Sequence, residues 1–365
     1  MRLFLMFVIL FGFYSEAYGK CSLDIDMKLK ALNKPALKTI KSEDGDIIDC
    51  IDIYKQHAFD HPTLRNHKIQ MKPSVVFGEK KTKIPNNGSS EQIQITYQVW
   101  LKSGTCPTGT IPVRRVSQED ISRASSPSRF GRKPPHRYSY LDNALQRKGN
   151  FNITAEKTNQ VGAYYRSEAF IVTIGSDFVG AQSDINVWNP PRVQASDYSS
   201  AQIWLVGGVS DIFESLEAGW MVNPAVFGDY RTRLFISWTD PKSGNWWLTC
   251  GNNVMGYWPG TLFNSLKYRA TGVQWGGEVH SPNIGKKPHT ETSMGSGQWA
   301  NYLYGKACYH TNLRIMDNSL QIKYPKYLSE YVDEKNCYST KLYQKTYMEE
   351  PHLYFGGPGR NRLCN

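Results

Sequence analysis

A chain of 365 residues with a formal charge of +11 is long enough to form a sizeable core and two folded units. The charge suggests nucleic acid at first, but the sequence has no basic helix and no RNA-binding motif, so we expect no nucleic-acid partner. Much of the positive charge lies between Arg114 and Arg137. It is either part of a solvated linker or a surface that attracts acidic cell-wall polymers.

The first 19 residues have the pattern of a secretory signal peptide. Arg2 precedes an apolar run over residues 3–11, and Ala17-Tyr18-Gly19 is a small-x-small cleavage site. The run is too short to span a membrane, and no later apolar run reaches that length. We therefore expect a secreted protein that has no membrane anchor.

Seven cysteines follow the predicted signal peptide, and none of them forms a C-x-x-C motif. This disfavours zinc and thioredoxin-like sites, and disulfides are expected in an oxidising compartment. The odd number leaves at least one thiol unpaired within the chain. We predict no metal and no cofactor. Asn87 and Asn152 each begin a glycosylation sequon that secretion makes usable.

Residues 20–115 predict a small mixed unit. Ile25, Leu29 and Leu32 recur at helical spacing, and an apolar run follows over residues 47–54. Apolar and polar side chains alternate over residues 93–100, which is typical of a half-buried strand. The next stretch, 116–160, is rich in Ser, Pro, Arg and Gly. It has the composition of an exposed linker that proteases can reach.

Residues 161–365 predict an all-β domain. Short β-branched and aromatic runs, punctuated by Gly, Pro, Asn and Asp, predict strands at residues 170–174, 185–188, 203–206, 233–238, 246–248 and 273–275. No long helical period intervenes, so antiparallel sheets packed as a jelly-roll-like β-sandwich are expected. Nine of the ten tryptophans lie here, either in the core or along a groove.

Two carboxylates in this domain are candidates for acid–base chemistry. Glu278 follows Gly276-Gly277, and a glycine pair within a strand marks a bulge or a close backbone approach. Glu217 lies upstream in Leu216-Glu217-Ala218-Gly219-Trp220. Two carboxyl groups that a fold brings together can act as an acid and a base. The alternative is that each is a surface or capping carboxylate.

Motifs spread over both units point to one family. They are Asp49-Cys50-Ile51-Asp52-Ile53-Tyr54, Cys106-Pro107-Thr108-Gly109, Asn186-Val187-Trp188-Asn189-Pro190, Gln202-Ile203-Trp204, Glu217-Ala218-Gly219-Trp220, Gly244-Asn245-Trp246-Trp247, Gly256-Tyr257-Trp258-Pro259, Trp275-Gly276-Gly277-Glu278-Val279 and Met294-Gly295-Ser296-Gly297. In these motifs the chain resembles the plant neprosin family of secreted glutamic peptidases, which carry an N-terminal activation peptide.

The resemblance implies a β-sandwich whose catalytic residues match Glu217 and Glu278. We accordingly expect an acid-active endopeptidase of the apoplast or cell wall that cleaves proline-containing peptides. Trp220 and Trp275 flank the two glutamates in sequence; they either form a proline-accepting pocket or pack in the core. His289 is expected to be a hydrogen-bonded structural residue and not a base.

The resemblance also implies a disulfide between Cys337 and Cys364. Bridges between Cys50 and Cys106 and between Cys250 and Cys308 are further hypotheses.

One departure from the family lies between Trp238 and Gly244. Relatives carry a longer segment there, with a closely spaced cysteine pair and several strands, whereas here Trp238 is followed almost directly by Gly244-Asn245-Trp246-Trp247. Loss of those strands would leave an exposed edge or an incomplete cleft. The alternative function is therefore a catalytically inactive protein that binds cell-wall glycans. A glycosidase is a third hypothesis, because two carboxylates also define that reaction.

Overall fold

The computed structural model describes residues 25–73, 98–124, 130, 165–208, 213–238, 245–250, 253–346 and 348–365. The predicted signal peptide, both sequons and most of the predicted linker lie outside these ranges. The chain divides into two compact units, one of residues 1–130 with 245–258 and the other of residues 131–244 with 259–365. Within the described ranges, no helix is long and apolar enough to cross a membrane.

The first unit is built on a three-stranded antiparallel sheet. Its strands are β1 (Ala36–Lys41), β2 (Ile47–Asp52) and β3 (Thr110–Arg114), in the order β1-β2-β3. Residues 25–32 are helical (α1), with the predicted apolar positions half-buried. A second helix, α2 (Gln118–Arg123), begins at a capping box between Ser117 and Asp120. The first unit therefore contains both helices and strands, as predicted.

A β-hairpin distant in sequence also belongs to the first unit. It consists of β9 (Trp246–Cys250) and β10 (Asn253–Trp258), which pair antiparallel. The hydroxyl of Tyr257 accepts a hydrogen bond from the backbone N–H of Gln70 at 2.9 Å and lies 2.7 Å from His67 Nε2. Asn245 Nδ2 donates to Gln70 Oε1 at 2.8 Å. These bonds join the hairpin to the segment around residues 67–70.

The second unit contains a six-stranded antiparallel sheet in the order β14-β4-β11-β6-β7-β8. The bounds of these strands are β4 (Arg166–Phe178), β6 (Tyr198–Gly207), β7 (Glu214–Val222), β8 (Arg233–Trp238), β11 (Ala270–His280) and β14 (Ser329–Val332). A short helix, α3 (Pro224–Phe227), follows β7. The long strands β11 and β6 lie at the centre and are buried on both faces.

A second sheet packs on one face of the first. Its strands are β5 (Gly180–Ile185), β12 (Cys308–Met316), β13 (Ile322–Lys323), β15 (Ser339–Tyr343) and β16 (His352–Gly356). Trp275 of β11 donates its indole N–H to the carbonyl of Gln182 in β5. Trp220 of β7 donates to the carbonyl of Asn186, just after β5. The predicted all-β fold of packed antiparallel sheets is confirmed.

The predicted strands within the sheets are largely confirmed, with two differences. The strand predicted at residues 185–188 extends only to Ile185, because residues 186–188 leave the sheet before Pro190. Val99 and Trp100, predicted to end a strand, lie in a 3₁₀ helix, Val99–Ser103. Trp100 packs against Ile40, Ile48 and Cys50, so burial of its ring sets the local conformation.

Two disulfides are present within the described residues, and they join Cys50 to Cys106 and Cys337 to Cys364, as predicted. The third hypothesis, a bridge between Cys250 and Cys308, is wrong. Both are free thiols: Cys250 is exposed in β9, and Cys308 is buried in β12 with its Sγ 3.1 Å from Asn186 Oδ1. Cys250 belongs to the first unit and Cys308 to the second, and the order of the cysteines along the chain does not reveal this division.

Candidate active site

One face of the six-stranded sheet carries both candidate glutamates. Strand pairing places Glu278 of β11 directly opposite Ser200 of β6, and Glu217 of β7 directly opposite Trp204. Directly opposed residues share a face, and alternate residues along a strand return to it. We call this the glutamate face; its polar members include Arg166, Glu168, Tyr198, Ser200, Gln202, Ser215, Glu217, Gln274, Glu278 and His280.

The two glutamates lie on strands that are not neighbours in the sheet. One strand, β6, separates them, and their opposing positions on it are Ser200 and Trp204. Gln202, between those positions, is the diagonal neighbour of both glutamates, and two diagonal steps span on the order of 15 Å between Cα atoms. A substrate bond above Gln202 would therefore have one carboxyl group on each side.

Glycines flank Gln202 on the neighbouring strands. Gly219 of β7 and Gly276 of β11 lie directly opposite it. A Cβ atom on Gly219 would lie 2.0 Å from the carbonyl oxygen of Ala201, and one on Gly276 would lie 2.3 Å from that of Ala169. The predicted close backbone approach is therefore present, and β11 has no bulge at the glycine pair. No side chain rises from the sheet on either side of Gln202.

Glu278 is completely buried, and its contacts include Tyr198 and Arg166. The Tyr198 hydroxyl donates a hydrogen bond to its Oε1, and the guanidinium of Arg166 lies 3.7 Å from the same oxygen. The Tyr198 ring stacks on His280, with centroids 5.0 Å apart and planes 8° from parallel. Glu168 of β4 lies directly opposite Glu278. The surroundings of this carboxyl group therefore include a cation, a hydroxyl donor and a further acid.

Tyr198 stays protonated in this environment. Burial raises the pKa of its hydroxyl well above the ordinary value of 10, and the adjacent Glu278 carboxylate raises it further, although Arg166 opposes the shift. A hydroxyl that keeps its proton is a constant hydrogen-bond donor to Glu278.

Glu217 is held by different partners. Ser215, two residues earlier in β7 and on the same face, donates its hydroxyl to Glu217 Oε1 at 2.8 Å. Gln202 Nε2 donates to Glu217 Oε2 at 3.3 Å. The side chain is 3% exposed. Both glutamates are therefore buried residues of one sheet face, and the alternative that they are surface carboxylates does not fit the structure.

Further polar atoms on the glutamate face have no hydrogen-bond partner within the described part of the chain. They are Ser200 Oγ, Gln202 Oε1 and Gln274 Nε2, and all three residues are at most 1% exposed. Buried polar atoms of this kind are nearly always paired in folded proteins. The face therefore presents donors and acceptors suited to a polar ligand such as a peptide backbone.

Trp220 and Trp275 lie on the opposite face of the sheet. Both are buried, and their indole N–H groups bond to the backbone of residues 182 and 186 between the two sheets. Of the two alternatives that the sequence left open, core packing fits these positions, because each tryptophan is an odd number of residues from its glutamate. The aromatic side chain placed beside Glu217 is Trp204.

His289 has the structural position expected for it. Its Nε2 lies 3.1 Å from Glu334 Oε2, and the ring is 4% exposed. Although burial lowers the pKa of His289, its pair with Glu334 raises it more, so the net shift is upward. His289 also lies close to the Cys337–Cys364 disulfide. Because those sulfurs are bonded to each other, this cluster is not a metal site.

Sequence reasoning missed the residues that surround the two glutamates. Tyr198, Ser200 and Gln202 are polar at every second position, directly before the predicted strand at residues 203–206. Arg166 and Glu168 show the same spacing before residues 170–174, as do Ser215 and Glu217. Extending each predicted strand toward its N-terminus would have placed these side chains on the face of the glutamates, although Ser167 and Ser199 between them are polar too and hide the alternation.

Comparison with protein families gives matches over both units. The neprosin activation peptide family matches residues 39–159. The neprosin family matches residues 195–241 and 238–358, in two segments that meet where the sequence departs from its relatives. The match to the neprosin family includes both candidate glutamates: Glu217 lies in its first segment and Glu278 in its second.

Proposed function

Because the chain belongs to the neprosin family, whose activation peptide precedes a protease-type domain, we propose that it is a secreted, acid-active glutamic endopeptidase. The observation that carries this proposal is the position of Glu217 and Glu278 on either side of Gln202, on one buried polar face. The two disulfides fit passage through an oxidising compartment.

In the proposed reaction, water attacks the peptide carbonyl while one ionised glutamate accepts its proton. The other glutamate, protonated, polarises the carbonyl and then donates a proton to the leaving nitrogen. This division of roles requires one proton for two carboxyl groups, which acid conditions favour. Ser200, Gln202 and Gln274 are placed to bind the substrate backbone.

Because the region that matches the activation peptide precedes the domain that carries both glutamates, we also propose that this peptide is removed by a cut within about residues 115–160. The chain would then be made as an inactive precursor.

Cleavage at proline is a narrower part of the proposal. It does not depend on Trp220 and Trp275, which lie between the two sheets, nor on Trp204, whose ring is packed in the core with Phe170, Val172 and Val206. Two peptides that differ only by proline or alanine at one position test this selectivity.

Substitution of each glutamate tests the catalytic pair. Glu217→Gln and Glu278→Gln keep the side-chain shape but cannot exchange a proton, so each should lower peptide cleavage by about 10²-fold or more. The double variant should lose little more, since residues that act as a unit are not additive. Cleavage by acid-treated protein is measured against pH, with circular dichroism as the folding control.

The catalytically inactive alternative rests on the interrupted family match. Within the described residues, β8 ends the six-stranded sheet and β9 belongs to the other unit. A folded parent protein that cleaves no peptide at any pH, yet binds wall polysaccharide, would support this alternative. Hydrolysis of polysaccharide would instead indicate a glycosidase.

A further inference from the structure

A row of aromatic side chains lies on the outer face of the second sheet. Tyr309 of β12 and Lys341 of β15 lie directly opposite Tyr354 of β16, one on each side, so the three residues share a face. The next residue of β16, Phe355, is completely buried, and its ring closely approaches Gly277 of β11. Because Phe355 points toward the six-stranded sheet, the face that carries Tyr354 points away from it.

Two more tyrosines extend this row, one at each end. The ring centroid of Tyr304, which precedes β12, lies 5.3 Å from that of Tyr309. Tyr309 lies 6.1 Å from Tyr354, which in turn lies 5.9 Å from Tyr343 at the end of β15. The end rings are exposed, Tyr304 at 72% and Tyr343 at 46%. We call these four residues the tyrosine row; contiguous exposed rings of this kind mark an interaction surface.

A lysine lies over an exposed ring near each end of the tyrosine row. The Lys341 ammonium lies 5.8 Å from the ring centroid of Tyr343, and the Lys306 ammonium lies 5.8 Å from that of Tyr302. Tyr302 is itself 54% exposed and lies two residues before Tyr304. Neither lysine forms an ion pair with a residue that the structure describes. Both positive charges are therefore available to a ligand.

Three acids in or beside these strands leave the two lysines unpaired. Glu350 pairs with Arg314 at 3.6 Å. Asp184 lies on β5, on the other side of β12 from β15 and β16. Glu349 lies in the turn before β16, together with Lys345. The tyrosine row therefore combines exposed aromatic rings with positive charge, which complements a ligand that is both ring-faced and acidic.

We propose that the tyrosine row binds a polysaccharide that contains uronic acids. One face of a sugar ring presents C–H groups, which pack on the negative face of an aromatic ring. Sugar hydroxyls exchange hydrogen bonds with the tyrosine hydroxyls, and the uronate carboxylates pair with Lys306 and Lys341. Several rings in succession suit a polymer of sugar units. This site is separate from the two glutamates and goes beyond the peptidase proposed above.

A proline-rich polypeptide is the other polymer that packs on aromatic rings. It carries no acid that would pair with Lys306 and Lys341, so the charges favour the polysaccharide. Binding of the two polymers is compared below.

Binding of the full chain to polygalacturonate, measured by affinity electrophoresis with the polymer in the gel, tests this site. The parent should bind, and the double variant Tyr304→Ala with Tyr343→Ala should bind about tenfold more weakly, because two aromatic contacts are lost. Both side chains are exposed, so the fold should persist, and circular dichroism checks it. A parent that does not bind, or a double variant that binds as the parent does, would overturn the site.

Tyr268→Ala is the matched control. Tyr268 is 68% exposed, and the Lys267 ammonium lies 5.3 Å from its ring centroid, but it contacts no other ring within the described part of the chain. Its removal should leave the affinity unchanged. An equal loss of affinity in this control would show that any exposed tyrosine suffices, which would reject the row as a site.

The two lysines have their own test. Lys306→Gln with Lys341→Gln should weaken binding to polygalacturonate severalfold and make it less sensitive to salt, whereas Lys267→Gln should change neither. Neutral galactan, polyglutamate and polyproline are the comparison polymers, and each should bind the parent more weakly than polygalacturonate. Equal binding of polyglutamate would reduce the interaction to the net charge of +11, and equal binding of galactan or polyproline would reject uronic acids as the ligand class.

Cleavage and binding are measured separately, so the two functions can fail independently. Glu278→Gln should bind polygalacturonate as the parent does, and the double tyrosine variant should cleave peptides as the parent does. An inactive parent that still binds through the tyrosine row would reject the peptidase and support this site. An active parent that does not bind would do the reverse.

Discussion

At the scale of single residues, Gln202 links the two halves of the candidate site. Its amide nitrogen donates to Glu217, and its carbonyl oxygen has no partner within the described residues. Glycines lie directly opposite it on both neighbouring strands, where the backbones approach too closely for a Cβ atom. These features suit a side chain that orients Glu217 and receives a group from the substrate.

The variant Gln202→Met keeps the length of the side chain but removes both of its hydrogen-bonding groups. We therefore expect it to lower kcat/KM about tenfold, which corresponds to the loss of one hydrogen bond. Unfolding temperature should change little. Gln194→Met is the control, since Gln194 Oε1 accepts from Thr290 and Gln194 is not on the glutamate face. Equal losses of activity in the two variants would contradict a role for Gln202 in the site.

At the scale of elements, strand β11 depends on its glycine pair. A Cβ on Gly276 would meet the backbone of β4 at 2.3 Å, and one on Gly277 would meet the Phe355 ring of the second sheet at 2.5 Å. The first contact fixes the spacing within the sheet, and the second fixes the spacing between sheets. Glu278 follows both, so its position depends on them.

Gly276→Ala should lower the free energy of unfolding by about 1–3 kcal/mol, because backbone atoms of β4 cannot move aside as a side chain can. Gly175→Ala in β4 is the matched control: its Cβ would meet only the ring of Phe178, at 3.0 Å. Chemical denaturation of both variants measures the difference. If Gly276→Ala were no more destabilising than Gly175→Ala, the strand spacing would not depend on this glycine.

At the scale of the whole molecule, charge pairs make the first unit sensitive to acid. Arg115 hydrogen-bonds to the buried Asp49, at 2.6 and 2.7 Å, and lowers the pKa of that carboxyl despite its burial. Asp120 also has a lowered pKa: burial raises it, but the Ser117 backbone and Arg114 outweigh that effect. Both carboxyls lie in the region that matches the activation peptide.

The pKa of Asp49 is lower in the folded state than in the unfolded state, where it is near 3.8. Asp49 therefore stabilises the fold fully above pH 3.8, and this stabilisation is lost as the pH falls through the pKa of the folded state. The first unit should therefore unfold more readily below about pH 4. Asp49→Asn should flatten this dependence, whereas Asp60→Asn, an exposed carboxylate, should not. Limited proteolysis against pH measures it; an unchanged dependence in Asp49→Asn would reject the assignment.

The amino-acid sequence by itself determined the all-β class and identified the two candidate glutamates, whereas the disulfides came from the family resemblance and from hypotheses of which one was wrong. Strand periodicity and turn residues are local properties, and the motifs around Glu217 and Glu278 are contiguous. The tertiary structure alone decided which side chains meet. Strand register places Glu278 opposite Ser200 and Glu217 opposite Trp204. The same register places Trp220 and Trp275 on the other face of the sheet. Register arises from pairing between distant segments, because a shift of one residue would exchange the two faces of a strand.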